Sequence, residues 1–283
     1  MAVHRLTSAM AENSLPSLAE TIKTFDLRAD KSLGQHFLLD PGLLARIAQA
    51  ANLSAAVNVI EVGPGPGGLT RALLDTKAKH ITAIEYDKRA VAAIMALAAT
   101  NPRLSIIEAD ALKADLTSLV PAPRAIVANL PYNIGTLLLV NWLQQAQEFQ
   151  SMTLMFQLEV AERICAQPQS GAYGRISVLT QWLCEVTMLM RIPAGAFAPP
   201  PKVESALIRV VPRSDQPPRA EVKLMERLTA AAFGQRRKML RGALKPLGGE
   251  ALCQDAGIAP ERRAETLSVA EFVRLMRALQ ARA

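Results

Sequence analysis

The chain reads as an α/β protein, a parallel sheet with helices on both faces, carrying a small all-helical unit at its C-terminal end. Three observations predict this. Short apolar runs alternate with helix-length segments from Val57 to Phe156, the pattern of strand–helix–strand crossovers. A Gly/Pro loop, Gly63-Pro64-Gly65-Pro66-Gly67-Gly68, follows the first of those runs directly. Beyond the linker-like stretch Pro212-Arg213-Ser214-Asp215-Gln216-Pro217-Pro218, the spacing is helical to the end. The expected organisation is a weakly structured lead-in over 1–30, an α/β domain over 31–212 and a helical domain over 219–283. With 283 residues, half of them hydrophobic, the chain is long enough for one large domain and a smaller one.

The elements follow in order. Asp40-Pro41 opens an amphipathic helix through Leu43, Leu44, Ile47 and Ala48. Val57 to Val62 is the first buried strand, and a helix over about 68–76 follows the glycine loop. His80 to Glu85 is the second strand, then an Ala-rich helix from Lys88 to Ala99. Leu104 to Ile107 and Ala125 to Ala128 are the third and fourth strands. A helix over about 136–145 and a fifth strand, Met152 to Phe156, complete the alternation. Glu185 to Met190 and Ser205 to Val211 are candidate late strands. In such a sheet, ligands sit beyond the C-terminal ends of the strands, where Gly63, Glu85 and Asn129 fall.

Charge is uneven. Residues 200–283 carry 16 Lys/Arg against 9 Asp/Glu, the whole of the net +7, while residues 1–199 are neutral. A basic C-terminal third on a neutral body suggests a polyanionic partner, nucleic acid before acidic membrane. Its densest run is Gln235 to Lys245. On a helical projection Arg237, Lys238, Arg241 and Lys245 share one side, and Met239, Leu240, Ala243, Leu244 and Leu247 share the other. Arg236 falls toward the apolar side but belongs to the same basic run. Cys165, Cys184 and Cys253 form no Cys-x-x-Cys pair, and His4, His36 and His80 are dispersed. No disulfide framework or metal site is expected, and a reducing, cytoplasmic setting fits. The first thirty residues do not read as a signal peptide, and no apolar run approaches the ~20 residues that cross a bilayer.

The most informative residues are Asn129-Leu130-Pro131-Tyr132, closing the fourth strand. An exocyclic adenine amine is a poor nucleophile because its lone pair is delocalised into the ring. The Asn129 side-chain carbonyl and a main-chain carbonyl beside Pro131 can each accept one N–H of that amine. Pro131 keeps the corner rigid. Two acceptors arranged for an sp3 nitrogen favour the transition state over the ground state, and the Tyr132 ring can stack on the base. The glycine loop, with Gly63, Gly65 and Gly68 in dinucleotide spacing, fits a nicotinamide cofactor or S-adenosylmethionine equally well. Glu85 would accept the ribose hydroxyls of either, and Asp110 suits the adenine amine of the latter. A dehydrogenase has no reason to carry the fourth element of this series. Phe197, held by Pro199-Pro200-Pro201, is placed to close the second face of the target base.

Together these residues resemble the small-subunit ribosomal RNA adenine dimethyltransferase family, the one linked to kasugamycin sensitivity. The resemblance runs from about Lys31 to the C-terminus. It rests on Gly34-Gln35-His36-Phe37-Leu38, Glu61-Val62-Gly63-Pro64-Gly65, Asn129-Leu130-Pro131-Tyr132-Asn133, Ala172-Tyr173-Gly174-Arg175, Phe197 to Ser205 and Phe233 to Lys238. It implies a Rossmann-like, S-adenosylmethionine-dependent methyltransferase domain with a small helical RNA-binding domain. The implied reaction is dimethylation of two adjacent adenines in a hairpin loop near the 3′ end of the small-subunit RNA. Position by position, it implies cofactor contacts at His36, Leu38, Gly63, Glu85, Asp110 and Asn129. The target corner would be Asn129, Leu130, Pro131 and Tyr132, with Phe197 as second stacking face. RNA contacts are expected at Arg236, Arg237, Lys238, Arg241 and Lys245. The family often carries Asn where this chain has His36; a main-chain contact there is independent of the difference. The expected partner is the assembling small subunit, bound by a monomer without membrane or obligate protein partner. Rival readings are a large-subunit RNA methyltransferase, a DNA adenine methyltransferase, an assembly factor needed for binding alone, and a nicotinamide oxidoreductase.

Overall fold

The computed structural model describes residues 16–29, 36–235 and 237–282. Seven strands form one sheet. In chain order they are β2 (Asn58–Val62), β3 (His80–Glu85), β4 (Leu104–Glu108), β5 (Arg124–Asn129), β6 (Ser151–Gln157), β7 (Cys184–Ile192) and β9 (Ser205–Pro212). The spatial order is β4-β3-β2-β5-β6-β9-β7. The first five are mutually parallel; β9 runs antiparallel between β6 and β7. The chain winds outward from β2 through β3 to β4, then returns to start β5 on the other side of β2. The ends of β2 and β5 therefore flank the point where winding reverses, the place where an open α/β sheet leaves a crevice.

Each face of the sheet is covered. Side chains alternate along a strand, so Val59, Ile81, Ala83 and Val127 meet helices α2 (Pro41–Ala50), α3 (Gly68–Leu74) and α4 (Lys88–Ala98). Ile60, Ile84, Ile126 and Leu154 meet α6 (Gly135–Leu143), α7 (Leu158–Cys165) and α8 (Arg175–Leu183). Local chemistry sets the helix starts: Asp40 and Asp87 accept main-chain N–H groups as N-caps of α2 and α4. Both late runs are strands. Apart from α5 (Leu116–Leu119), the short helices α7 and α8 are the central elements missing from the sequence reading.

Two features bear on the expected organisation. The lead-in, expected to be weakly structured, carries one short helix in its described part. Helix α1 (Leu18–Thr24) opens with a Ser17/Glu20 capping box. Arg71 donates to Thr21 Oγ1 (3.1 Å), Arg89 to the Asp26 carbonyl (3.2 Å), and Leu27 packs on Ala90 and Ala93. Residues 1–15 and 30–35, including Gly34 and Gln35 of the quoted motif, lie outside the described residues. The helical unit, α9 (Arg219–Phe233) to α12 (Val269–Gln280), is not separate in its packing. Met225, Leu228 and Phe272 share one continuous core with Val178, Leu179 and Leu183 of α8. Tyr173, Phe233 and Phe272 form a chain of ring contacts across that boundary, at centroid distances of 6.1 and 5.6 Å. Among the described residues, no helix is long and apolar enough to cross a membrane.

Candidate functional site

Two adjoining cavities open at the reversal point. One is lined by His36, Phe37, Leu38, Glu61, Gly63, Gly65, Glu85 and Asn129 to Tyr132. The other is lined by Gly63, Glu85, Tyr86, Asp110, Leu112, Pro131 and Ile134. Gly63, Glu85 and Pro131 border both, so they form one trough with Asp110 at one end and Asn129–Tyr132 at the other. Strand ends position every member. Gly63 follows β2, Glu85 ends β3, Asp110 follows β4 and Asn129 ends β5. Gly63 and Gly65 have φ of +69° and +52°, a region that L side chains avoid. A Cβ on Gly65 would also lie 3.2 Å from the Phe37 ring.

Glu85 is oriented by its own loop. Its Oε1 accepts N–H bonds from Tyr86 (2.7 Å) and Asp87 (2.9 Å), and Oε2 has a long one from Gly65 (3.4 Å). Burial raises its pKa, opposed by those N–H groups. Tyr86, 76% exposed, stands beside it on the rim. Asp110 Oδ1 accepts from the Leu112 N–H (3.0 Å) and Oδ2 lies 3.7 Å from Lys113 Nζ. The carboxylate thus caps its turn and also borders the trough.

Glu61 is the residue the sequence reading left without a role. It is 1% exposed, borders the trough, and its Oε2 has no hydrogen-bond partner. Burial, with the nearby Glu85 charge adding to it, pushes its pKa up to about 8. The available signal was an ionisable residue inside an otherwise apolar strand, which is costly unless something pairs with it.

At the far end, Asn129 Nδ2 donates to the His36 carbonyl (3.3 Å). Leu130 is buried, so only its main chain can serve the site. The Pro131 carbonyl accepts from Ile134 (3.2 Å) and Gly135 (2.9 Å). The Tyr132 hydroxyl lies 2.6 Å from Ser205 Oγ, tying the corner to the first residue of β9. Burial raises the Tyr132 pKa.

Phe197 does not stand open toward the trough. It pairs with Leu38 in a two-residue ladder between β1 (Phe37–Leu38) and β8 (Phe197–Ala198), is 3% exposed and belongs to the apolar core. The His36 ring lies edge-on to it, at 6.4 Å and 79°, and at 5.3 Å and 33° from Tyr132. These angles leave the Tyr132 and Phe197 rings far from parallel, so a ready-made stacking slot between them is absent in this structure.

The basic run is also not the single helix expected. Helix α9 ends at Phe233, and α10 spans only Leu240–Ala243. The N–H groups of Leu240 and Arg241 go to the carbonyls of Arg262 (2.7 Å) and Pro260 (3.0 Å) instead of to a preceding turn, and Pro246 follows. Leu240, Ala243, Leu244 and Leu247 are buried as projected, while Met239 is 42% exposed. Arg237, Lys238, Arg241 and Lys245 are exposed and form no ion pair among the described residues. Other cations of the helical unit, Arg262, Arg274 and Arg282, are paired with Glu271 or Asp255. Arg236 lies outside the described residues.

A reversal-point trough bordered by the half-buried Glu85 carboxylate and closed by an Asn-Leu-Pro-Tyr corner fits a Rossmann-like transferase. The comparisons are specific. The family model for ribosomal RNA adenine dimethylases matches residues 26–281. The ribosomal RNA small subunit methyltransferase A of Gluconobacter oxydans is 57% identical over 93% of this chain and 87% of its own length. That of Paramagnetospirillum magneticum is 53% identical over 95% and 96%. Among solved structures, a dimethyladenosine transferase from Plasmodium falciparum superposes with a TM-score of 0.71, 25% identity, and coverage of 87% of this chain and 98% of its own. The 23S rRNA methyltransferase ErmE gives 0.65 at 29% identity, covering 86% and 99%. The chain belongs to the ribosomal RNA adenine dimethylase family. Its reaction is adenine dimethylation of ribosomal RNA, with S-adenosyl-L-methionine as methyl donor.

Proposed function

We propose that the chain dimethylates N6 of two adjacent adenines in the 3′-terminal hairpin loop of small-subunit ribosomal RNA, acting as a single chain on the assembling particle. The observation that supports this most is the continuity of the trough from Asp110 to Tyr132 through Gly63, Glu85 and Pro131. On this reading, acceptors for a nucleoside and a corner for its amine share one crevice of one chain. The residues fit the donor. The φ of Gly63 and Gly65 lets main chain line the crevice without a Cβ, Glu85 offers the ribose acceptor, and the unpartnered Glu61 Oε2 leaves one polar atom open to the ligand. When bound, S-adenosylmethionine supplies a methyl carbon made electrophilic by its sulfonium.

The chain's own part is to hold the amine. Asn129 Nδ2 is committed to the His36 carbonyl, so Oδ1 is the atom left to accept an N–H of the adenine. With the Pro131 carbonyl engaged by Ile134 and Gly135, the Leu130 carbonyl is the main-chain acceptor for the other. The Tyr132 ring lies against the base, its hydroxyl anchored on Ser205. A loop adenine leaves its stack at small cost compared with one in a duplex. The attacked amine becomes acidic only on gaining the methyl, so no strong general base is required. The unpaired cations Arg237, Lys238, Arg241 and Lys245 hold the RNA backbone.

The likeness to ErmE keeps a large-subunit target as second reading. The relatives at 57% and 53% identity are small-subunit enzymes, which favours the first. Mass spectrometry of ribosomal RNA from cells lacking this chain decides. Loss of dimethyladenine from the small-subunit 3′ hairpin is expected; an unmodified large-subunit adenine with an intact small-subunit hairpin would replace the reading.

A further inference from the structure

Among the described residues, the polar and ring contacts of His36 go to the proposed target corner and the segment facing it. Its ring stands 5.3 Å from Tyr132, tilted by 33°, and 6.4 Å from Phe197, edge-on. Its Nδ1 lies 2.7 Å from the Pro199 carbonyl; a carbonyl only accepts, so the nitrogen carries the proton and donates. Its own carbonyl takes the Asn129 amide N–H (3.3 Å). The backbone and the ring of this residue therefore act on the corner separately. The carbonyl turns Asn129 so that Oδ1 is left for a ligand, and the ring lies against Tyr132 where a flat base would stack.

We infer that the His36 imidazole is a placeholder for the target adenine, keeping the Tyr132 seat covered until RNA displaces it, while the His36 main chain stays and orients Asn129. The inference rests on the reading of Asn129–Tyr132 as the amine corner. Displacement is local. Rotation about the His36 side chain moves the ring off Tyr132 without breaking the Phe37–Ala198 and Leu38–Phe197 pairing of the two short strands. It gives up one donated hydrogen bond to Pro199 and a tilted ring contact. An arriving base replaces the ring contact with a larger stacked area and supplies the N–H groups that Asn129 awaits. His36 is thus a positioning residue that sets how readily a base is accepted.

The test separates ring from backbone. His36→Asn keeps a side-chain N–H able to reach the Pro199 carbonyl but removes the ring. Methyl transfer to a synthetic hairpin with the small-subunit loop sequence should then show a KM for RNA about 2- to 10-fold lower, the range of a lost ring–ring contact. In wild type, ring-labelled histidine NMR, with His36 assigned from the variant's missing signal, should show that signal move when the hairpin is added to protein saturated with S-adenosylhomocysteine. A KM for RNA equal to or above wild type overturns the inference, and so does an unmoved His36 ring signal at saturating hairpin. If wild type itself neither binds nor methylates the hairpin, the reading of the corner falls. If it methylates normally while either overturning result is seen, the placeholder role alone falls.

Discussion

At the scale of single residues, the two carboxylates of the trough, buried Glu61 and half-buried Glu85, make opposite demands. Glu85 is held by three N–H groups, whereas Glu61 Oε2 has no partner. Replacing Glu85 with Ala should weaken S-adenosylhomocysteine binding by roughly tenfold or more, the loss of charge-assisted hydrogen bonds, read by calorimetry; unchanged affinity would remove it from the site. Burial raises the Glu61 pKa from 4.5 to about 8. Between those values the folded chain keeps a proton that the unfolded chain has released. Stability therefore falls as pH rises through this window, and the loss is complete above it. Glu61→Gln stays neutral throughout, so its Tm advantage over wild type should widen from pH 5 to pH 8.5, by on the order of 5 °C. Parallel melting profiles at the two pH values would contradict the assignment. That Asn129, Glu85 and Gly63 would stand together at strand ends was legible, because strand ends in an α/β sheet converge on the crevice. Glu61 was not, because its importance lies in what fails to surround it, and sequence does not report unpaired oxygens.

At the scale of elements, the basic segment shows where pattern reading stops. The apolar positions Leu240, Ala243, Leu244 and Leu247 were projected inward correctly. The helix was not continuous, because carbonyls of Pro260 and Arg262 compete for its N–H groups, a tertiary effect with no local signature. Helices α7 and α8 and the β1–β8 ladder were missed for a similar reason: short elements are stabilised by what they pack against. The exposed cations survive this correction. Changing Arg237 and Lys238 together to Gln should reduce the slope of log affinity for the hairpin RNA against log salt by about 1 to 2. The response should be similar for hairpins of different sequence, since phosphate contacts do not read bases. An unchanged slope in a salt titration would place the RNA backbone elsewhere. Phe197, legible as a conformationally restricted aromatic next to prolines, is covered in this structure by the Leu38 strand, which sequence separation hid.

For the whole molecule, the main difference from the sequence reading is the continuity of the core. The Pro/Gln linker over 212–218 suggests two bodies, yet Phe272 is fully buried in the same cluster as Leu179 of α8. Unfolding in denaturant should therefore be a single transition, and Phe272→Ala should lower its free energy by about 3 to 5 kcal/mol. Two separated transitions, with only one shifted by Phe272→Ala, would restore the two-body view. The parallel sheet with helices on both faces was legible in the strand–helix alternation up to β6, but the strand order, and the insertion of β9 between β6 and β7, depend on long-range pairing and could only be seen in three dimensions. This shared core ties the exposed cations of the 237–245 segment to the body that carries the trough.

The trough itself is the centre of the account, and a crystal structure with S-adenosylhomocysteine tests it most directly. The ligand is predicted to lie at the β2–β5 reversal point, its ribose hydroxyls on Glu85, its adenine beside Asp110 and its sulfur facing Asn129 and Leu130. A ligand bound away from these strand ends, with Glu85 and Asn129 still in their present hydrogen bonds and the trough filled by solvent, would contradict it.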